Sequence, residues 1–175
     1  MIKGGKGGAN TKTGLEFEGK TDLSTFLSEQ QGYTVKGEEV YYLGKVVAKV
    51  FKKRELYRFL KNYNIEWESV LSRPLYPDNC LFVIIKNTLY VIECKTQMVA
   101  GSVDEKLQTC DFKKKQYQKL LSLANIDVEY MYILNNYFKH DKYKDVRDYI
   151  ISVGCQYYFE YIPLTKLGLP VPSEE

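Results

Sequence analysis

The sequence predicts an α/β protein, and three observations indicate this fold class. The runs 81–85 and 89–92 are short, apolar and rich in branched and aromatic residues, as two neighbouring strands would be. From that pair to the C-terminus, the predicted order is strand, strand, helix, strand, helix, strand. The chain has 175 residues, of which 45% are hydrophobic and 27% charged. This length and composition predict a single globular domain with one core.

Composition and charge narrow the classes of function. The formal net charge is only +3, so any nucleic-acid surface must come from local clusters of basic residues. A zinc site is not indicated, because the single histidine and the four cysteines are widely spaced. No apolar run is long enough to span a membrane, and the N-terminus lacks the apolar core of a signal peptide. We therefore expect a cytoplasmic protein with free thiols and no membrane partner.

Residues 1–14 are rich in glycine and lysine and predict a flexible arm. Lys6 and Lys12 are candidate contacts to a phosphate backbone, and a terminus without a partner is the alternative.

The later elements follow from the spacing of apolar residues, which is helical where they recur every three or four positions and strand-like where they alternate or run together. In chain order we predict a helix over 15–27, a hairpin pairing 39–43 with 46–51, a helix over 53–63, the strands 81–85 and 89–92, a short helix capped by Ser102, a helix from Asp111, a strand over 128–134, a helix over 143–153 and a strand over 155–161.

The strand pair carries charged residues at one end. Asp78 precedes the first strand, and Glu93 and Lys95 end the second. If the chain reverses at Asn87, Asp78 and Glu93 return to the same end of the sheet, and alternation places Glu93 and Lys95 on one face with Cys94 on the other. Carboxylates suit Mg²⁺, and a lysine beside them suits a phosphate group. The cluster predicts phosphodiester hydrolysis; solvated charges at a strand end are the alternative.

Pro77-Asp78 followed by Glu93-Cys94-Lys95 resembles the PD-(D/E)XK motif of a nuclease superfamily that includes most type II restriction endonucleases and the archaeal junction resolvases. The resemblance implies a restriction-endonuclease-like core over 15–169, with a central mixed sheet flanked by helices, followed by a C-terminal tail at 170–175. It also implies that Asp78, Glu93 and the backbone carbonyl of Cys94 bind Mg²⁺, with Mn²⁺ as a substitute, and that Lys95 is the catalytic lysine.

Gly14-Leu-Glu-Phe-Glu18 is similar to a Gly-x-x-x-Glu pattern on the first helix of many of these nucleases. The similarity implies that Glu18 is a further catalytic carboxylate near the metal. The stretch 14–21 also satisfies the phosphate-loop pattern of nucleotide hydrolases. We disfavour that interpretation, because a glycine-rich arm rather than a buried strand precedes it and two glutamates inside it would repel phosphate. We therefore expect no nucleotide cofactor.

Residues after the second strand are further candidates. Gln97 lies two positions beyond Lys95, so on a continued strand it could touch the scissile phosphate. In the helix from Asp111 we expect Phe112 and 117–121 on the buried side and the lysines outside. These lysines are the leading candidates for DNA contacts: Lys113, Lys114, Lys115 and Lys119. A solvated helix face is the alternative.

The residues and the resemblance together predict a Mg²⁺-dependent type II restriction endonuclease that cuts double-stranded DNA at a specific sequence. One chain has one site, so cutting both strands requires a homodimer or a partner subunit. The alternatives are a structure-specific endonuclease of the junction-resolvase kind, a nicking subunit of a heteromeric restriction enzyme, and a DNA-binding module without catalysis. Intact Asp78, Glu93 and Lys95 argue against the last of these.

Overall fold

The structure, a computed structural model, describes the backbone of residues 14–16 and all of residues 22–172. Its strands are β1 (Gly14–Glu16), β2 (Tyr33–Lys36), β3 (Glu39–Tyr42), β4 (Lys45–Phe51), β5 (Asn79–Val83), β6 (Thr88–Lys95), β7 (Asp127–Leu134), β8 (Gln156–Phe159) and β9 (Tyr161–Pro163). Its α-helices are α1 (Leu23–Ser28), α2 (Glu55–Lys61), α3 (Val103–Leu107), α4 (Cys110–Ser122) and α5 (Lys144–Ser152). Short 3₁₀ turns cover Trp67–Ser69, Asn136–Lys139, Asp141–Tyr143 and Leu164–Leu167.

Seven strands form one mixed sheet in the order β2-β3-β4-β5-β6-β7-β8. Strands β2 to β6 pair antiparallel with their neighbours, whereas β6, β7 and β8 are parallel. Parallel neighbours require long crossovers, and these are supplied by α3 and α4 between β6 and β7 and by α5 between β7 and β8. The prediction of an α/β fold with a mixed sheet flanked by helices is confirmed at this level.

The strands alternate their side chains between two hydrophobic cores. On one face, Val91 and its neighbours pack with residues of α2, α4 and α5. On the other face, Ile92 packs with α1 and with the leucines of the 164–169 segment. Strand β6 is central and buried on both faces, which explains its continuous apolar sequence.

Asn87 closes the turn between β5 and β6. Its φ of 48° lies in the left-handed region, where asparagine is tolerated better than most residues, and its side-chain amide donates a hydrogen bond of 2.7 Å to the carbonyl of Asn125. The turn is longer than predicted, because β5 ends at Val83 and Ile85 is 82% exposed. The predicted strand 81–85 is therefore wrong at its last two positions.

Two other local predictions are wrong. Gly14–Glu16 is not helical, because it pairs antiparallel with β9. Within the described residues, the helix predicted over 15–27 is represented by α1. Phe112 is 62% exposed rather than buried. Tyr117, Leu120 and Leu121 form the buried face of α4, and at 100° per residue Phe112 lies well away from that face.

Within residues 14–16 and 22–172, no helix is long and apolar enough to cross a membrane.

Candidate functional site

The register of β5 and β6 brings Asp78 beside Glu93. Asn79 pairs with Ile92 at the end of the hairpin, so continuing this antiparallel register places Asp78 opposite Glu93. The side chain of Asp78 is exposed, whereas that of Glu93 is buried. The two carboxylates predicted to converge therefore lie at the same end of the central hairpin.

The chain leading to Asp78 is fixed by backbone hydrogen bonds. The amide of Lys53 donates to the carbonyl of Pro77 over 3.0 Å. The hydroxyl of Tyr57, on α2, accepts from the amide of Leu75 and donates to its carbonyl, at 2.6 and 2.7 Å. These contacts fix the backbone on the N-terminal side of Asp78 and leave its carboxylate exposed.

The Glu93 carboxylate is the centre of a buried charge cluster. Lys95 Nζ lies 2.9 Å from Oε2, and Lys113 Nζ lies 2.8 Å from Oε1 and 3.1 Å from Oε2. The hydroxyl of Tyr130, on β7, donates to Oε1 over 2.5 Å. Glu93 thus joins β6, β7 and α4 through side-chain contacts.

These donors determine the charge of Glu93. Burial of the carboxyl raises its pKa, but the hydrogen bonds from Lys113, Lys95 and Tyr130 outweigh burial and hold the pKa below its ordinary value of 4.5. Burial raises the pKa of the Tyr130 phenol, and the negative charge of Glu93 raises it further. Near neutral pH the cluster therefore contains an ionised Glu93 and a neutral Tyr130.

Sequence reasoning placed Lys113 on the outer face of α4, and this placement is wrong. Lys113 precedes Tyr117, Leu120 and Leu121 by four, seven and eight positions, so it lies on the same helix face as those buried residues. This spacing could have predicted the position of Lys113 from the sequence. The ammonium of Lys113 reaches Glu93 on β6, and the Lys113 side chain is 30% exposed.

The other predicted DNA-contact lysines of α4 differ in their surroundings. Lys114 donates a hydrogen bond of 2.5 Å to the carbonyl of Gly154 and is largely buried. Lys115 is exposed and pairs over 2.8 Å with the half-buried Asp111, one helical turn earlier. Lys119 is exposed. Lys6, Lys12 and Glu18 lie outside the described residues.

Gln97 anchors the loop that follows β6. Its side-chain amide donates to the carbonyls of Val99 and Gly101, at 2.7 and 3.3 Å. Asn135 holds the backbone of Gln97 from both sides, accepting from its amide at 3.3 Å and donating to its carbonyl at 2.8 Å. Strand β6 ends at Lys95, so the condition under which Gln97 would share a face with Lys95, a strand that continues to Gln97, is not met. The Gln97 Oε1 atom is buried and has no hydrogen-bond partner within the described residues.

Cys94 lies between Glu93 and Lys95, and its side chain packs against the opposite core. Burial raises the pKa of its thiol to about 12, and the charge of Asp78 adds to the shift. The thiol is therefore protonated near neutral pH, and of the groups of Cys94 only the backbone carbonyl suits a hard cation such as Mg²⁺.

The oxygen donors at this end of the sheet fit Mg²⁺ in their chemistry. Asp78 and Glu93 supply carboxylates, the ligand type that Mg²⁺ prefers. No group of three or more histidine, cysteine, aspartate or glutamate side chains capable of holding a metal occurs in the part of the chain that the structure describes. Both Glu93 oxygens are already bound by ammonium or phenol groups, so a cation at Glu93 must replace one of these contacts.

In comparisons with protein-family models, curated proteins and solved structures, the chain matches none.

Proposed function

We propose that this protein is a Mg²⁺-dependent type II restriction endonuclease with a restriction-endonuclease-like core. The observation that carries the proposal is the ionised Glu93 beside Lys95, with Asp78 opposite it by register at the end of a mixed sheet. Two carboxylates and an ammonium at one sheet end are suited to hydrolysis of a phosphodiester, which is itself anionic and requires positive charge to be attacked.

Each residue of the proposed site has a distinct role. Asp78 and Glu93 would hold Mg²⁺, with the backbone carbonyl of Cys94 as a further oxygen ligand. The metal, when bound, supplies Lewis-acid polarisation of the phosphoryl group and activates water. Lys95 remains beside Glu93 and stabilises the negative charge that develops on the phosphate as water attacks in line.

Burial supports this assignment of roles. The Lys95 side chain is 21% exposed, so its ammonium reaches solvent while it remains paired with Glu93. Asp78 is exposed, so an incoming duplex and its metal can reach that carboxylate. The buried Glu93 is held in place by neighbouring elements, which fixes one end of the site before substrate binds.

The first test is cleavage by the purified chain. Supercoiled plasmid, linear phage DNA and a four-way junction would each be incubated with Mg²⁺ or with a chelator. We expect discrete, reproducible fragments of linear DNA that require Mg²⁺. Nicked circles alone would instead indicate a subunit that cuts one strand, and cleavage confined to the junction would indicate a structure-specific enzyme. Binding without cleavage of any substrate would support the DNA-binding module.

Variants connect that activity to the site. Lys95→Ala should lower the single-turnover rate at least about 100-fold, the order of loss expected when a charge-stabilising donor is removed. Lys61→Ala is the matched control, because Lys61 is an exposed lysine on α2. Wild-type cleavage by Lys95→Ala would contradict the assignment of the site. Thermal unfolding of both variants separates a loss of catalysis from a loss of fold.

A further inference from the structure

Lys113 donates hydrogen bonds to the Glu93 carboxylate, although it is not one of the motif residues. A carboxylate has about four lone-pair sites, and here Oε1 meets Lys113 and Tyr130 while Oε2 meets Lys95 and Lys113. Each oxygen of the carboxylate therefore has two neighbouring donor groups, and Lys113 donates hydrogen bonds to both oxygens.

The three donors to Glu93 differ in how readily their side chains can move away from the carboxylate. Tyr130 is completely buried within the sheet, and Lys95 lies on the same strand as Glu93. Lys113 extends from the first turn of α4 and is the more exposed of the two lysines, at 30% against 21%. Lysine has a long flexible stem, so its ammonium can move by several ångströms without any shift of the helix.

The balance of charges at the site also indicates that Lys113 is the group that moves. Asp78 and Glu93 contribute two negative charges, and Lys95 and Lys113 two positive charges, so the four side chains sum to zero. A divalent cation added to this neutral cluster is opposed by both ammonium groups. If Lys113 moves away from Glu93, one of the two ammonium groups no longer opposes the cation at that carboxylate. The same ammonium is then free to bind the phosphate of the substrate.

We infer that Lys113 is the counter-ion of Glu93 in the metal-free protein, and that its ammonium transfers from this carboxylate to the DNA phosphate when a divalent cation binds. Lys113 is thus a residue that contacts the substrate phosphate once the metal is bound, and metal and DNA bind cooperatively. The inference rests on the proposed function, since it requires a metal at Glu93.

Metal binding by the DNA-free protein tests the inference directly. Mg²⁺ would be titrated calorimetrically into the wild type, Lys113→Gln, Lys113→Arg and Lys61→Gln. We expect Lys113→Gln to bind Mg²⁺ about tenfold more tightly than the wild type, equivalent to about 1.4 kcal/mol of competition removed. Lys113→Arg keeps a permanent positive charge and should bind as weakly as the wild type. Lys61→Gln carries the same loss of charge at an exposed position on α2 and should also bind as weakly as the wild type.

DNA adds a second measurement. Duplex DNA should tighten Mg²⁺ binding to the wild type, and it should do so less for Lys113→Gln, because that variant has no ammonium to transfer. At saturating Mg²⁺, Lys113→Gln should cleave at least about tenfold more slowly, because a donor to the phosphate is missing. Tighter metal binding with slower cleavage is a combination that simple loss of packing would not produce.

The outcomes separate the inference from the proposed function. Mg²⁺ binding by Lys113→Gln equal to that of Lys61→Gln, in a protein whose wild type binds Mg²⁺ and cleaves DNA, would overturn the inference and leave the nuclease in place. A wild type that neither binds Mg²⁺ nor cleaves DNA would overturn both. Thermal unfolding in chelator shows whether Lys113→Gln is folded, and Lys113→Arg tests the charge requirement if it is not.

Discussion

The hydrogen bond from Tyr130 to Glu93 allows a stability prediction that does not depend on catalysis. Tyr130→Phe removes one hydroxyl from a fully buried ring and leaves the packing of that ring unchanged. The lost bond is 2.5 Å long and its acceptor is ionised. Hydrogen bonds to charged groups contribute about 1.5–3 kcal/mol, so we expect the free energy of unfolding at pH 7 to fall by about 2 kcal/mol.

The pH dependence of this loss has a definite sign. The folded-state pKa of Glu93 lies below 4.5, so its interactions stabilise the protein above the unfolded-state pKa and are lost as the pH falls through the folded-state value. Tyr130→Phe removes one of the groups that lower this pKa, so Glu93 takes up a proton at higher pH in the variant. The stability difference between wild type and variant should therefore be constant near neutral pH and shrink in acid, as each protein passes its own Glu93 pKa.

Urea denaturation, followed by circular dichroism and by the fluorescence of the single tryptophan, Trp67, would measure the difference. Tyr149→Phe is the control, because Tyr149 is partly exposed on α5 and its loss should change stability by less than about 0.5 kcal/mol. Equal stability of the two variants, or a Tyr130→Phe deficit that stays constant through the acid range, would refute the reasoning.

Two further predictions concern the backbone near the site. Asn87→Val places a β-branched residue at a φ of 48° and should destabilise the fold by about 2 kcal/mol, whereas Asn87→Gly should cost less than about 1 kcal/mol; equal losses in urea denaturation would show that the turn is not strained by side chains. Gln97→Ala removes both side-chain bonds to the 99–101 loop, so amide hydrogen exchange of residues 98–102 should accelerate at least about tenfold while exchange in β6 is unchanged; unchanged loop exchange would show that Asn135 suffices to hold the loop.

Apolar patterning predicted the central elements well because the sheet is buried on both faces. The β5–β6 pair, β7, α5 and the crossover order follow from apolar runs of the length and spacing that buried strands and helices require. The prediction failed for Gly14–Glu16, where pairing with β9, a segment almost 150 residues away in sequence, overrides local spacing. Such long-range pairing leaves no local signal.

The site was predictable only along one strand pair. Alternation along β6 places Glu93 and Lys95 together, and hairpin register adds Asp78. Tyr130 and Lys113 come from β7 and α4, so their contact with Glu93 depends on how distant elements pack. The helical spacing of Lys113 indicated its face but not the residue that it meets.

The change from antiparallel to parallel pairing at β6 has a consequence for how the protein could be assembled. A chain divided within 98–102 would yield one fragment carrying Asp78, Glu93 and Lys95, and a second fragment carrying Lys113 and Tyr130. The two would have to reassociate along β6 and β7, which pair in parallel over their whole length. The buried Glu93 would keep Lys95 within its own fragment but would acquire the Lys113 ammonium and the Tyr130 hydroxyl only on complementation, so the association of the fragments would restore the site.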